Sequence, residues 1–170
     1  MKHRILFSKE QIGAQVNQLA VTIDQTAVDS YLVLTVLKGA AIFSSDLVRA
    51  MATDTQLEYI TATSYLDDFT PGDKLTITET SRLEVRDRHV LIVEDIIDTG
   101  RTLQRLHETV DRKQPLSVTT ISLINKTSRR ETEYQPDHTG FNITHEFIYG
   151  YGLDWNQKYR DLPYIAIANR

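Results

Sequence analysis

The stretch VLIVEDIIDTGRTL, residues 90–103, puts three carboxylates directly after an apolar run. Glu94 and Asp95 are adjacent, and Asp98 leads into Thr99, Gly100, Arg101 and Thr102. Asp-Thr-Gly followed by Arg-Thr opens a helix, and Gly100 lets the turn before it fold tightly. The free N–H groups of a first helical turn, the helix dipole and the Thr99 and Thr102 hydroxyls together make a phosphate cradle. Glu94 and Asp95 cannot serve that same phosphate, because like charges repel. They suit a neighbour with donors or positive charge: a ribose diol, or a divalent cation with oxygen ligands. A phosphate site beside a diol site points to a ribose 5-phosphate. The plainer alternative is a pair of solvated strand-end acids with Asp98 as a helix cap.

Four other places carry chemistry-bearing residues. Lys38 and Gly39 follow an apolar run and offer one cation and open backbone N–H groups. Ser64 and Tyr65 begin a long polar stretch that runs to about Asp73. Lys126 stands just past a further apolar run. FIYGYGLDWNQKYRDLP, residues 147–163, packs aromatics, two glycines and Asp154 close together, with Arg160 beyond. Each alone has a bland reading: a strand-end turn, a surface loop, a solvated lysine, an aromatic core.

These residues need elements to hold them. Ser8 followed by Gln11 is a capping box, and Ile12, Val16, Leu19 and Ile23 then share one helical face. YLVLTVL (31–37) reads as a fully buried strand. AIFSSDLVRAMA (41–52) is a helix by the spacing of Phe43 and Leu47. QLEYITATSY (56–65) and LTITE (75–79) are strands, with a loop over 67–73. HVLIV (89–93) is a second buried strand, GRTLQRLHETVDR (100–112) a helix and SVTTISLI (117–124) a third buried strand. KTSRRETEYQPDHTG (126–140) is polar and rich in breakers. FNITHEFIYG (141–150) and PYIAIA (163–168) are further strands. Alternating strands and helices give an α/β fold with a central parallel sheet flanked by helices. Ligands of such sheets bind at the carboxyl ends of the strands, where these clusters sit. The first helix and the last 40 or so residues fall outside the alternation and suit an accessory layer.

The chain has 170 residues, room for one domain with a real core. Its net charge is −4, with a pI near 5.7, against the basic footprint of a nucleic-acid binder. There is no cysteine, hence no disulfide framework. No apolar run reaches the roughly 20 residues that cross a bilayer, and MKHRILFSKEQ has no signal-peptide core. A cytoplasmic protein is expected. The five histidines show no zinc-ligand spacing.

VLIVEDIIDTGRTL resembles the phosphoribosyl pyrophosphate (PRPP) signature of the type I phosphoribosyltransferases, in the version of the hypoxanthine-guanine phosphoribosyltransferases. LKGA, Ser64-Tyr65, the Lys126 region and FIYGYGLDWNQKYRDLP match in the same order, so the resemblance runs from about Leu6 to Asn169. It implies a single domain over 1–170, with a small hood from roughly 1–10 and 126–170. It also implies transfer of the 5-phosphoribosyl group from PRPP to N9 of hypoxanthine, with guanine the second expected base, in purine salvage. A xanthine-preferring transferase, or a PRPP-sensing regulatory protein on this fold, are the alternatives.

The resemblance assigns roles residue by residue. Glu94 and Asp95 hold the ribose hydroxyls, with magnesium alongside. Asp98 to Thr102 wrap the 5-phosphate, and Asp98 lies near N7 of the purine as acid/base. Lys38, Gly39 and Arg160 meet pyrophosphate, and the Lys38–Gly39 peptide can be cis. Ala40 replaces a second glycine of some relatives. Ser64 and Tyr65 begin a lid that excludes water from a cationic ribosyl centre. Lys126 donates to O6, which selects 6-oxopurines over adenine. Phe147 stacks on the base, Ile148 reads its edge through the backbone, and Asp154 stands beside the base and holds a second magnesium through water. A homodimer or homotetramer is implied by resemblance only. Ile96 and Ile97 cover the base pocket or anchor the turn.

Overall fold

The computed structural model describes residues 4–65, 74–79 and 83–168. In chain order it holds β1 (Arg4–Phe7), α1 (Lys9–Asp24), β2 (Ser30–Leu37), α2 (Ala41–Ala50), β3 (Asp54–Tyr65) and β4 (Lys74–Glu79). Then follow β5 (His89–Ile97), α3 (Arg101–Asp111), β6 (Ser117–Lys126), β7 (His138–Ile143), β8 (Ile148–Tyr149) and β9 (Ile165–Ile167). The stretch 66–73, where the sequence reading puts most of the lid, lies outside the described residues.

α1 starts where the capping box puts it: Ser8 Oγ accepts from Gln11 N at 3.3 Å and Gln11 Oε1 accepts from Ser8 N at 2.9 Å. Its face of Ile12, Val16, Leu19 and Ile23 is buried. α1 is therefore part of the main core and not an accessory layer, because that stripe packs with α2 onto one face of the sheet.

The large sheet has the order β4-β3-β2-β5-β6-β7. β3, β2, β5, β6 and β7 are mutually parallel and β4 adds antiparallel to β3. Period-two alternation divides the core. Tyr31, Val33, Leu91 and Val93 face α1 and α2. Leu32, Leu34, Val36, Val90 and Ile92 face α3 through Leu103, Leu106 and Val110. Burial on both faces is why β2 and β5 read as unbroken apolar runs.

Chain order runs outward from β2 to β4 and then returns to β5 on the other side of β2. Helices lie on opposite faces on the two sides of this reversal, which opens a crevice at the carboxyl ends of β2 and β5.

Several boundaries differ from the sequence reading: β6 runs on to Lys126, β7 starts at His138 within the breaker-rich stretch, and two further differences shape the site. β5 continues past Val93 to Ile97, pairing Glu94 with Ser122 and Ile97 with Asn125, so the acid pair is inside the strand. The run 141–150 is two strands. β7 closes the edge of the large sheet, and the chain bends where Glu146 Oε2 accepts from Thr144 N and His145 N. β8 then joins a separate antiparallel sheet of order β1-β9-β8.

Candidate active site

A cleft of about 320 Å³ opens at the β2/β5 crevice. It is lined by the turn after β2 (Leu37, Gly39), by β5 and its turn from Glu94 to Gly100, by Thr102 on α3, and by Asp154 and Arg160. Three separate sequence clusters thus converge on one space.

Glu94 and Asp95 are both buried at its floor. Burial and the neighbouring Asp95 carboxylate hold the Glu94 pKa well above the usual range. Burial also raises that of Asp95, opposed by hydrogen bonds from Glu94 and from Ile96 N. Both carboxyls are thus harder to ionise than free ones, and Glu94 more so than Asp95. Asp95 Oδ1 accepts from Ile96 N at 2.9 Å. A Cβ at Gly39 would overlap the Asp95 carboxylate, so the turn after β2 approaches the acids because it has no side chain there.

The cis bond lies between Leu37 and Lys38, one peptide earlier than the Lys38–Gly39 bond of the sequence expectation. Lys38 itself is exposed, and its carbonyl accepts from Ala41 N at 3.3 Å as α2 begins.

Gly100 has φ +88° and forms the N-cap of α3 without a side-chain cap. An L side chain would be strained there and would meet Thr132 and Arg130. Thr99 Oγ1 accepts from Arg101 N at 3.4 Å, and the Arg101 guanidinium meets Glu131 at 2.6 Å. Thr102 lines the cleft at the start of α3.

Asp98 lies where this turn meets the end of β6. Its Oδ2 is 3.9 Å from Lys126 Nζ and 3.1 Å from Arg129 NH1. Its Oδ1 is buried without a hydrogen-bond partner. Lys126 is the last residue of β6 and only 9 % exposed, a cation held in place and not a free surface lysine. Arg130 braces the same corner: Nε donates to Asp98 O at 3.2 Å, NH1 to Tyr134 O at 2.8 Å, and NH2 to Asn125 Oδ1. Sequence reasoning missed Arg129 and Arg130. They sit in a polar, breaker-rich stretch where arginines read as solvated, and their one signal is the pair Ser-Arg-Arg shortly after a strand end.

Across the cleft, Asp154 Oδ1 pairs with Arg160 NH2 at 2.8 Å, and its Oδ2 accepts from Gln157 N at 2.8 Å. Arg160 NH1 also donates to Gly152 O at 2.7 Å. The Arg160 charge reaches Asp95 and favours its ionised form. Phe147 is 42 % exposed, its ring edge-on to Trp155 at 6.5 Å, and Ile148 is buried in β8. Lys126, Phe147, Ile148 and Lys38 do not line the cleft; Lys126 meets it through Asp98. The backbones of Ser64 and Tyr65 end β3, paired with Leu75 and Lys74.

Among the described residues, no group of three or more His, Asp or Glu side chains is gathered tightly enough to hold a metal by itself.

The description of the phosphoribosyl transferase domain matches residues 5–156. A hypoxanthine phosphoribosyltransferase of Haemophilus influenzae is 35 % identical over 97 % of this chain and 96 % of its own length. A hypoxanthine-guanine phosphoribosyltransferase of Bacillus subtilis is 33 % identical over 98 % of this chain and 95 % of its own. The crystal structure of a hypoxanthine-guanine phosphoribosyltransferase of Bacillus anthracis superposes with a TM-score of 0.90 at 33 % identity, covering 99 % of this chain and 100 % of that one.

Proposed function

Because the chain belongs to the phosphoribosyl transferase domain family, we propose that it transfers the 5-phosphoribosyl group of PRPP to N9 of hypoxanthine, and also of guanine. N9 forms a bond to C1 of the ribose, the C1–oxygen bond to pyrophosphate breaks, and the purine gives up one proton. The products are the nucleoside 5-monophosphate and pyrophosphate, a purine salvage reaction.

The observation that carries this reading is the cleft that unites Gly39, the span from Glu94 to Gly100, Thr102, Asp154 and Arg160, with Asp98 and Lys126 in contact at its rim. The backbone and hydroxyls of 99–102 take the 5-phosphate, and Glu94 and Asp95 take the ribose hydroxyls. Lys38, Gly39 and Arg160 take pyrophosphate, where a guanidinium offers a rigid fork of donors. Phe147 presents a ring face to the purine, the Ile148 backbone reads its edge, and Lys126 donates to O6. Asp98 moves the proton at N7. Ser64 and Tyr65 begin the lid that excludes water, the rest of which lies outside the described residues. Most of the acceleration comes from positioning and electrostatics.

Magnesium fits these residues. Two adjacent buried acids that resist ionisation are offset by a cation when both are charged, and magnesium is held by one or two carboxylates plus substrate phosphates. Glu94 and Asp95 would hold one ion with the sugar, and Asp154 a second through water. When bound, magnesium neutralises the leaving pyrophosphate.

We further propose one domain over residues 1–170, its hood drawn from roughly 1–10 and 126–170, working as a homodimer or homotetramer in the cytoplasm without nucleic-acid or membrane partners. No described helix is long and apolar enough to cross a membrane.

The test is direct. Purified protein, hypoxanthine, PRPP and magnesium should give the monophosphate and pyrophosphate in equal amounts. PRPP binding without product would sink the transferase reading, and a strong preference for xanthine would reassign the base.

A further inference from the structure

We propose that Arg129 is a positioning residue for the acid/base carboxylate, fixing the Asp98 side chain through its Oδ2. The inference rests on the reading of Asp98 given above and adds a residue to it.

The two oxygens of Asp98 have unlike surroundings. Oδ2 faces Arg129 NH1 at 3.1 Å and Lys126 Nζ at 3.9 Å. Oδ1 is buried and accepts nothing. A buried carboxylate oxygen without a donor is costly, and it gives the carboxylate no anchor on that side. The orientation of Asp98 therefore depends on the partners of Oδ2.

Arg129 is the better holder. Its contact is a hydrogen bond in length, whereas 3.9 Å from an ammonium is a loose ion pair. Lys126 also has a second task, donating to O6, and a base that engages Lys126 draws it from Asp98. Arg129 has no such conflict, and its guanidinium keeps the charge on Oδ2 while Lys126 turns to the purine.

The neighbouring geometry fixes where Arg129 stands. Arg130 ties the loop after β6 to the Asp98 carbonyl and to Tyr134 O. Glu131 N donates to Thr99 O at 2.9 Å, so the loop and the turn are joined immediately after Arg129. The other charges near Asp98 are Arg130 on the same loop, Glu94 and Asp95 earlier on β5, and the Arg101–Glu131 pair beyond the turn. The Arg129 side chain is 65 % exposed, so shortening it removes the hold without opening the core.

The experiment is steady-state kinetics with hypoxanthine and PRPP on wild type, Arg129→Ala, Arg129→Lys, Asp98→Asn and the Asp98→Asn/Arg129→Ala double variant. Arg129→Ala should lower kcat on the order of fivefold while the KM for PRPP changes by less than about twofold. Arg129→Lys should recover part of the loss, because it restores a cation without the fork. In the Asp98→Asn background, removing Arg129 should cost nothing further. An unchanged kcat in Arg129→Ala, an equal loss in the Asp98→Asn background, or a PRPP KM that rises as much as kcat falls overturns the proposal. A wild type that makes no monophosphate overturns the proposed function and this inference with it; an active wild type with an indifferent Arg129→Ala overturns only the role of Arg129.

Discussion

The Asp95 carboxylate occupies the space where Gly39 would otherwise carry a Cβ. The turn after β2 and the acid pair of β5 are thus in contact across the crevice between two adjacent parallel strands. Gly39→Ala must push one of them away. Both partners are at the site and the acid is buried, so the shift falls on the site and not on the core. We expect kcat/KM for PRPP to fall on the order of 100-fold, the size of effect a misplacement of about 1 Å can produce. The thermal midpoint should change little. A variant with normal PRPP kinetics would show that the acid can move freely.

Asp98→Asn should lower turnover on the order of 100-fold or more, in the range of lost acid–base catalysis. PRPP affinity should stay close to wild type, because the phosphate contacts come from backbone and hydroxyls. Isothermal titration with PRPP beside steady-state rates separates the two. An equal loss in both would remove Asp98 from proton transfer.

Lys126→Ala should raise the KM for hypoxanthine about tenfold and narrow the preference over adenine, since an unpaired donor facing the adenine amino group is what rejects it. Competition between the two bases at fixed PRPP measures this. An unchanged preference would reduce Lys126 to a charge partner of Asp98.

Glu94→Gln addresses the raised Glu94 pKa. The Glu94 pKa is higher in the folded chain than in the unfolded one, through burial and the Asp95 charge. The folded state therefore holds an extra proton once pH passes the unfolded value of about 4.3. That contribution to stability is complete below this value and is lost as pH rises through the raised folded value. Glutamine keeps a donor toward Asp95 and does not ionise. Near pH 4 the variant and wild type should melt alike; at about pH 8 the variant should melt roughly 3 °C higher or more. Parallel melting curves at all pH values would show that the Glu94 pKa is not raised by folding. The same variant should bind PRPP with magnesium more weakly, since it lacks one of the two charges.

Much of the core and most of the site are legible in the sequence, for reasons that differ by residue. The Ser8 capping box, the apolar runs of β2 and β5 and the stripe of α3 are local patterns, and local patterns set local structure. Gly100 is legible because a glycine in a tight turn before a helix marks a place where the backbone takes a conformation that other residues adopt only with strain. Glu94 and Asp95 are legible as a pair but not as strand residues, because the apolar signal stops at Val93 while the pairing with β6 goes on. The bend at Thr144–Glu146 depends on one side chain folding back on two backbone donors, a contact that periodicity does not encode. Arg129 and Arg130 are illegible for a further reason: their partners lie some thirty residues earlier, and only the fold brings them together.

The small sheet is assembled differently from the large one. β1 pairs with β9, so residues 4–7 meet residues 165–167, and β8 completes the sheet beside Phe147. Contacts so distant along the chain close the largest loops and delay the gain that rewards closure. The large sheet with its phosphate turn needs none of them. On the roles proposed above, the sugar-phosphate half of the site stands on the large sheet, while the Phe147 side of the purine site rests on a sheet that ties residues 4–7 to 165–167.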